Sequence, residues 1–386
     1  MAVNYYRRSP GSRERQRTPR RPSISSYPMF TAAAVGSSGS PTTSTANNNW
    51  WDFTAAAAAA ESDATFPMPT QATFTADAAA DFPVPVGCGD ADDGIRNVWR
   101  HNLAEEFHQI NQLVGDYPFV SLDTEFPGVM IGRSATTTGN GIGVGGGGGI
   151  FYGQLGGKWF DRNEQNYQFI RHNVDQLKVI QVGLALMDPT GRTPWDKCRV
   201  NAWQFNFQFD RHSDRSVRES IDMLDSSGLD FDRLATDGIR AEDFAELLFG
   251  SGLVLNPDCK WMAFHGSYDF AYLMKLLTAS LLPPSRQQFH ELLDTFFPYV
   301  YDIKFILNRL ADRLPIGGGP YIGCAGQPQV LGGLQDVANQ LGLARVGHPH
   351  QAASDSLLAA QIFFHLMSNY PIDVNPFCGR LYQLDC

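Results

Sequence analysis

A strand that ends in two carboxylates is the feature of this sequence that most restricts its fold. Residues 119–126 read FVSLDTEF, and the apolar residues at the start of this run predict a buried strand. Asp123 and Glu125 follow one residue apart, and side chains at positions i and i+2 of a strand point to the same face. The two carboxylates therefore lie side by side. Because like charges repel in a half-dry environment, the pattern predicts positive charge beside them.

Strands and helices then follow one another along the chain. Strands are predicted at 117–126, 177–187, 202–209, 260–264 and 299–306, and helices at 98–114, 215–226, 241–250, 268–277, 286–297, 332–342 and 354–368. The turn-rich residues after 187 indicate an antiparallel hairpin between the second and third strands. A meander followed by strands that alternate with helices predicts an α/β fold with a mixed sheet.

The chain divides into two parts of different composition. Residues 1–93 begin with an arginine-rich segment, continue with a segment rich in Ser, Thr and Asn, and contain a run of alanines. They show no apolar periodicity, so they are predicted to be a disordered low-complexity extension. This extension could serve in nuclear import or RNA tethering, as an organelle transit peptide, or as a solvated tail without a targeting signal. The globular domain is predicted over 94–386. It carries Gly-rich surface insertions near 134–149 and 315–330.

Composition excludes several classes of protein. The six cysteines form no CxxC pair, which argues against a structural zinc site and a disulfide framework. No run of 18 apolar residues occurs, so no transmembrane helix is expected. The formal charge of −10 argues against a broad basic face for nucleic acid. An oligonucleotide substrate would have to be contacted locally, with metal ions offsetting the acids.

Two further carboxylates lie at the starts of predicted helices. Asp269 follows the strand at 260–264, at the edge where α/β sheets place ligands. Asp355 follows Ser354, a candidate N-cap, at the start of another helix. Each acid could instead simply complement a helix dipole. A D-x-E pair alone is also weak evidence, but all of these acids share one position, at the end of a strand or the start of a helix.

His350 precedes Asp355 by five residues and is a candidate base. On a regular helix that spacing would turn the side chains of His350 and Asp355 about 140° apart. His350 is therefore predicted to approach the acids from the loop that contains Gly347 and Pro349. A surface histidine without function is the simpler alternative. Four carboxylates with a loop histidine form a set suited to two-metal hydrolysis of a phosphodiester, and hard oxygen ligands suit Mg²⁺ or Mn²⁺. Such cations would relieve the repulsion at the strand end.

Several motifs together resemble one family. LDTEFPGV, FHGSYDFAYLMKLL and HQAASDSLLAAQIFF, with QLKVIQVGL and WQFNFQFD between them, are similar to the Pop-two/CAF-type messenger-RNA deadenylases of the DEDD exonuclease superfamily. The resemblance covers 94–386. It implies a ribonuclease H-like fold with a mixed five-stranded sheet flanked by helices. The tyrosine subtype would have a tyrosine at position 351, where this chain has Gln351, so the resemblance implies the histidine subtype, DEDDh.

The resemblance also implies an activity and a set of residues for it. The family's catalytic positions correspond to Asp123, Glu125, Asp269, His350 and Asp355, of which the four acids hold two divalent ions, Mg²⁺ or Mn²⁺, while the histidine accepts a proton. The implied reaction is 3′-to-5′ removal of adenosines from poly(A) tails with release of 5′-AMP. Phe126 is a candidate for base stacking, and a core position is the alternative.

The implied partners follow from the same resemblance. They are single-stranded poly(A) RNA 3′ ends, the NOT scaffold subunit and the leucine-rich-repeat deadenylase subunit of a CCR–NOT complex. The expected location is cytoplasm and nucleus, and no membrane association is expected because no apolar run is long enough to span a membrane. Two alternatives remain open at this point. One is a DEDDh exonuclease with another RNA or DNA substrate, and the other is an inactive scaffold subunit, against which the five intact positions argue.

Overall fold

The computed structural model describes residues 93–130, 161–310 and 332–385. The extension predicted over 1–93 lies outside the described residues except for its last residue. Both Gly-rich insertions, predicted near 134–149 and 315–330, also lie outside them. The domain boundaries therefore stay a prediction.

The described residues form one mixed sheet. Its strands are β1 (Ile95–Val98), β2 (Phe119–Glu125), β3 (Gln181–Met187), β4 (Ala202–Asn206), β5 (Lys260–Ala263) and β6 (Val300–Asp302). They lie in the order β1-β4-β3-β2-β5-β6. The pairs β2–β3 and β3–β4 are antiparallel, and the other three pairs are parallel. The predicted α/β class, mixed sheet and hairpin are confirmed, but the sheet has six strands rather than five.

The described helices flank this sheet. They are α1 (Leu103–Leu113), α2 (Arg162–Gln176), α3 (Trp195–Cys198), α4 (Arg218–Ser226), α5 (Phe231–Asp237), α6 (Ala241–Gly250), α7 (Ser267–Thr278), α8 (Arg286–Phe296), α9 (Ile303–Arg309), α10 (Leu334–Leu341) and α11 (Ala352–Asn369). A 3-10 turn follows at Asn375–Phe377. Among the described helices, none combines the length and the apolarity of a membrane span.

Two sequence predictions were wrong at element boundaries. The helix expected from residue 98 begins at Leu103, because Ile95–Val98 pairs with β4 as an edge strand whose middle residues are exposed. The strand expected over 299–306 is only β6, and α9 follows it at once. A short apolar run does not distinguish a buried strand from a buried helix. The chain turns from strand to helix at Asp302, because the Asp302 carboxylate accepts the N–H of Phe305 at 3.0 Å and caps α9.

Each face of the sheet has its own core. Val120 and Leu122 of β2 belong to a core that includes residues of α1, α2, α6 and α7, and Phe119 belongs to a second core with α9, α10 and α11. Since side chains alternate along a strand, Asp123 and Glu125 share the face of Phe119. The helix on that side, α11, packs against β2, β3 and β4.

Candidate active site

The two acids of β2 lie at one rim of the sheet. In the pairing with β3, Asp123 is opposite Gly183 and Glu125 is opposite Gln181. A Cβ built on Gly183 would lie 2.0 Å from the carbonyl oxygen of Ala352, so the start of α11 fills the space beside Asp123. This close approach brings the first turn of α11, with Asp355, to the carboxylates of β2.

The first turn of α11 differs in one respect from the prediction. The helix begins at Ala352 with Gln351 as its N-cap residue, so Ser354 is inside the first turn rather than at the cap. The Ser354 hydroxyl donates to the carbonyl of Val346 at 2.7 Å. Asp355 is a first-turn acid as predicted, and 9% of it is exposed.

Asp269 is fixed to the same rim by a threonine. It lies in the first turn of α7, directly after β5, and is buried. The Thr124 hydroxyl, between the two acids of β2, donates to Oδ1 of Asp269 at 2.5 Å. This bond joins the start of α7 to β2. Thr124 was not predicted to have a role, although its place in the D-T-E run was the available signal.

A further buried acid, Asp302, supports the segment before Asp269. One oxygen of its carboxylate accepts the N–H groups of His265 at 3.2 Å and Phe305 at 3.0 Å. The other accepts those of Gly266 at 3.0 Å and Tyr382 at 2.9 Å. These bonds fix the turn between β5 and α7. Asp302 was not predicted to have a role, although a lone acid inside the apolar run YVYDIKFI was the available signal.

His350 approaches from the loop before α11, as predicted. Its side chain is exposed and its backbone is left-handed, with φ of 60°. One ring nitrogen and one carboxylate oxygen each from Glu125 and Asp355 all lie within 4.8 Å of one another. The structure therefore brings the loop histidine to the carboxylates. His348, in the same loop, is exposed and lies outside this group of three.

Burial and mutual repulsion raise the pKa values of these carboxyl groups. Burial, followed by the charges of Asp269, Asp355 and Glu125, raises the pKa of Asp123 well above its usual value. Burial, with the neighbouring charges of Asp355 and Asp269, raises the pKa of Glu125 to about 8. Burial also raises the pKa of Asp269 to about 7, against the hydrogen bond from Thr124. The ionised cluster is therefore electrostatically costly without cations.

This donor set fits divalent metal ions. Four carboxylates offer hard oxygen ligands of the kind that Mg²⁺ and Mn²⁺ prefer. The repulsion that raises their pKa values would be offset by bound cations. The structure brings all five predicted residues to one rim, since Asp123 interacts with all three other acids and His350 lies beside two of them. Their individual roles in catalysis and metal binding stay predictions.

Arg345 supplies positive charge within the protein itself. Its guanidinium forms an ion pair with Oδ1 of Asp355 and also lowers the pKa values of Asp123 and Glu125. The side-by-side carboxylates of β2 predicted a positive group beside them, and only metal ions were identified for that role. Arg345 lies ten residues before Asp355 in a loop, a place that no motif spacing singles out.

A cavity of about 830 Å³ adjoins His350 on the side of β1. Amide side chains line one wall, and they bond to one another: Gln204 Nε2 to Gln351 Oε1 at 2.6 Å, Gln181 Nε2 to Asn206 Oδ1 at 2.8 Å, and Gln204 Nε2 to Asn97 Oδ1 at 3.1 Å. Gln351 also donates to the carbonyl of Ser227 at 2.9 Å. Position 351 therefore serves this amide network.

Phe126 packs on the opposite face of the sheet from the acids. Its ring is stacked on that of Tyr268, with centroids 5.1 Å apart, and contacts Tyr272 at 5.0 Å. It is partly buried against the first core. This packing is that of a core residue, which was the alternative to base stacking.

Comparisons with known proteins identify relatives of this chain. A family model described as CAF1 family ribonuclease matches residues 98–243. Poly(A) ribonuclease pop2 of Schizosaccharomyces pombe is 41% identical over 276 residues, which cover 72% of this chain and 70% of that protein. The probable CCR4-associated factor 1 homolog 10 of Arabidopsis thaliana is 39% identical over 295 residues, covering 75% of this chain and 92% of that protein.

Solved structures show the same likeness. The structure of S. pombe Pop2p in its Mg²⁺- and Mn²⁺-bound form is 39% identical with a TM-score of 0.61, and the match covers 75% of this chain and all of that one. A chain in the structure of the yeast NOT1 MIF4G domain co-crystallised with CAF1 is 26% identical to this chain, with a TM-score of 0.56. The match covers 77% of this chain and 99% of that one. The expected ribonuclease H-like fold is confirmed by the match to Pop2p.

Proposed function

This chain belongs to the CAF1 family of ribonucleases, and from that membership we propose that it is a poly(A)-specific 3′-to-5′ exoribonuclease of messenger RNA. The observation that carries the proposal is the meeting of Asp123, Glu125, Asp269 and Asp355 at one rim of the sheet with His350 beside them. A relative with 41% identity is named a poly(A) ribonuclease.

The four carboxylates would hold two divalent ions, Mg²⁺ or Mn²⁺, and the related Pop2p structure is described as a Mg²⁺- and Mn²⁺-bound form. When bound, such ions activate water and stabilise the leaving 3′ oxygen of a phosphodiester. His350 accepts the proton of the attacking water, because its ring lies beside Glu125 and Asp355 and its exposed side chain is open to the substrate. Cleavage of the terminal phosphodiester releases 5′-AMP.

The preference for adenosine is not assigned to Phe126. The Phe126 ring packs against two tyrosines, so we assign the adenosine preference to the shape of the RNA-binding surface around the site rather than to this residue.

Because the chain carries a formal charge of −10, RNA binding by the protein alone should be weak and sensitive to salt.

We assign the chain to a CCR–NOT complex as its catalytic deadenylase subunit. A related CAF1 has been co-crystallised with a NOT1 MIF4G domain, which supports the NOT scaffold as a partner. The leucine-rich-repeat deadenylase as a second partner, and action in both cytoplasm and nucleus, rest on the family resemblance.

A timed digest tests the reaction and its specificity together. The substrate is an RNA with a non-adenosine body and an adenosine tail, incubated with wild-type protein or His350→Ala, with and without EDTA. We expect metal-dependent shortening that stops at the tail boundary, and much slower shortening by the variant. Equal rates on poly(A) and poly(C) would instead favour a DEDDh exonuclease of another substrate, and no hydrolysis at all would favour a scaffold subunit.

A further inference from the structure

Arg345 is a charged side chain at this site that the proposed mechanism does not use. We propose that Arg345 is a positioning residue, which holds the Asp355 carboxylate in the orientation that binds a divalent cation. The proposal rests on the proposed function, since it concerns the same metal site. It depends on the contacts of the guanidinium with α10, α11 and Asp355.

The guanidinium is held at three points. Its Nε donates to Oε1 of Gln335 at 2.6 Å, and its Nη1 donates to the Ser354 hydroxyl at 2.9 Å and to Oδ1 of Asp355. Gln335 lies on α10, and the other two acceptors lie on the first turn of α11. The planar guanidinium thus spans two helices with donors on two of its nitrogens.

The ion pair is also poorly accessible to solvent. Only 11% of the Arg345 side chain and 13% of the Asp355 side chain are exposed. A charged pair in this setting is weakly screened, and its hydrogen bonds are charge-assisted. Removing the guanidinium would leave the Asp355 carboxylate free to turn away from the other acids, which repel it.

Charge and positioning predict opposite effects on metal affinity. If Arg345 acted only as a positive charge, it would repel a cation, and its removal would tighten metal binding. If it orients Asp355, its removal weakens metal binding, because outer groups that orient metal ligands commonly contribute tenfold to a hundredfold in affinity. The sign of the change therefore separates the two roles.

The test is calorimetric titration of Mn²⁺ into the metal-free protein, comparing wild type with Arg345→Met. We expect the Kd for Mn²⁺ to rise by about tenfold or more in the variant. Arg286→Met is the matched control, because Arg286 pairs with Asp385 at 2.8 Å outside the acidic site and is also partly buried. Its Kd should equal that of wild type. An Arg345→Met variant that binds Mn²⁺ as tightly as wild type, or more tightly, overturns the proposal.

Two more variants keep the test decisive. Arg345→Lys keeps the charge but loses the planar fork, so its Mn²⁺ affinity should remain below that of wild type. Gln335→Ala removes one anchor of the guanidinium without touching the acids, and it should weaken Mn²⁺ binding less than Arg345→Met does. If Arg345→Met fails to fold, the Mn²⁺ affinity of Gln335→Ala is the measurement that tests the proposal. Full Mn²⁺ affinity in both Arg345→Lys and Gln335→Ala would refute positioning.

Kinetics separate this role from direct contact with RNA. A positioning residue should lower kcat for tail shortening at limiting Mn²⁺ while leaving KM for RNA near that of wild type. A raised KM with unchanged Mn²⁺ affinity would show that Arg345 binds RNA phosphate instead, and would overturn the proposal. If wild type shortens no RNA while the Mn²⁺ affinities differ as expected, the proposed function fails and the positioning role stands.

Discussion

Gly183 lies directly opposite Asp123 in the sheet, and the backbone of α11 occupies the space that a side chain on Gly183 would take. The first turn of α11 carries Asp355, so this one residue without a side chain determines how closely Asp355 can approach the acids of β2. The acidic site therefore depends on a backbone contact between helix and strand as well as on its own carboxylates.

Substituting Gly183→Ala should separate α11 from β3. The added Cβ would lie 2.0 Å from the Ala352 carbonyl oxygen, a backbone atom that cannot move alone, so we expect a loss of about 1–3 kcal/mol in unfolding free energy and a large loss of activity. Urea unfolding and the rate of tail shortening measure both effects. Gly115→Ala is the control, because a Cβ there meets no atom within 4 Å. Equal stability of the two variants would contradict this account of the contact.

Asp123→Ala should slow hydrolysis severely while the protein remains folded. Removing one ligand of a two-metal site is expected to slow tail shortening on the order of 10³-fold or more. The metal-free variant should unfold at the same temperature as wild type or a higher one, because the pKa of Asp123 is raised by burial and by three neighbouring acids. Asp222→Ala, at an exposed acid of α4, is the control for both measurements. Hydrolysis by Asp123→Ala at the wild-type rate would exclude Asp123 from the site.

The sequence predicted those parts of the site that depend on local pattern. Strand alternation placed Asp123 and Glu125 on one face, and helix starts located Asp269 and Asp355. Gly183, Arg345 and Asp302 were missed because their roles depend on contacts between segments far apart in sequence. In the fold, β1 was missed because four residues with an exposed middle carry too little periodicity, and α9 was taken as strand because a buried apolar run fits both structures.

Asp302→Asn should destabilise the turn that leads to Asp269. The carboxylate accepts two N–H groups on each oxygen, and an asparagine would place an NH₂ group against two of these donors. We expect a loss of about 1–3 kcal/mol for the unsatisfied groups, measured by urea unfolding, together with weaker Mn²⁺ binding. Asp161→Asn is the control. Asp161 is an exposed N-cap that accepts one N–H, from Glu164 at 2.7 Å, and asparagine caps helices equally well. A fully stable Asp302→Asn protein would show that this carboxylate does not support the turn.

The stability of the metal-free protein should fall as pH rises toward 8. Burial and neighbouring charges raise the pKa of Glu125 from 4.5 to about 8, so between these values the folded protein holds a proton that the unfolded chain releases. Stability therefore decreases with pH across this window, since the folded state binds more protons. Thermal unfolding in EDTA at intervals from pH 5 to pH 8.5 measures the slope, and Glu125→Gln, which cannot titrate, should show a shallower one. Added Mg²⁺ should reduce the slope in wild type, because bound cations favour the ionised carboxylates. A slope that is the same in wild type and Glu125→Gln would show that Glu125 does not titrate in this window.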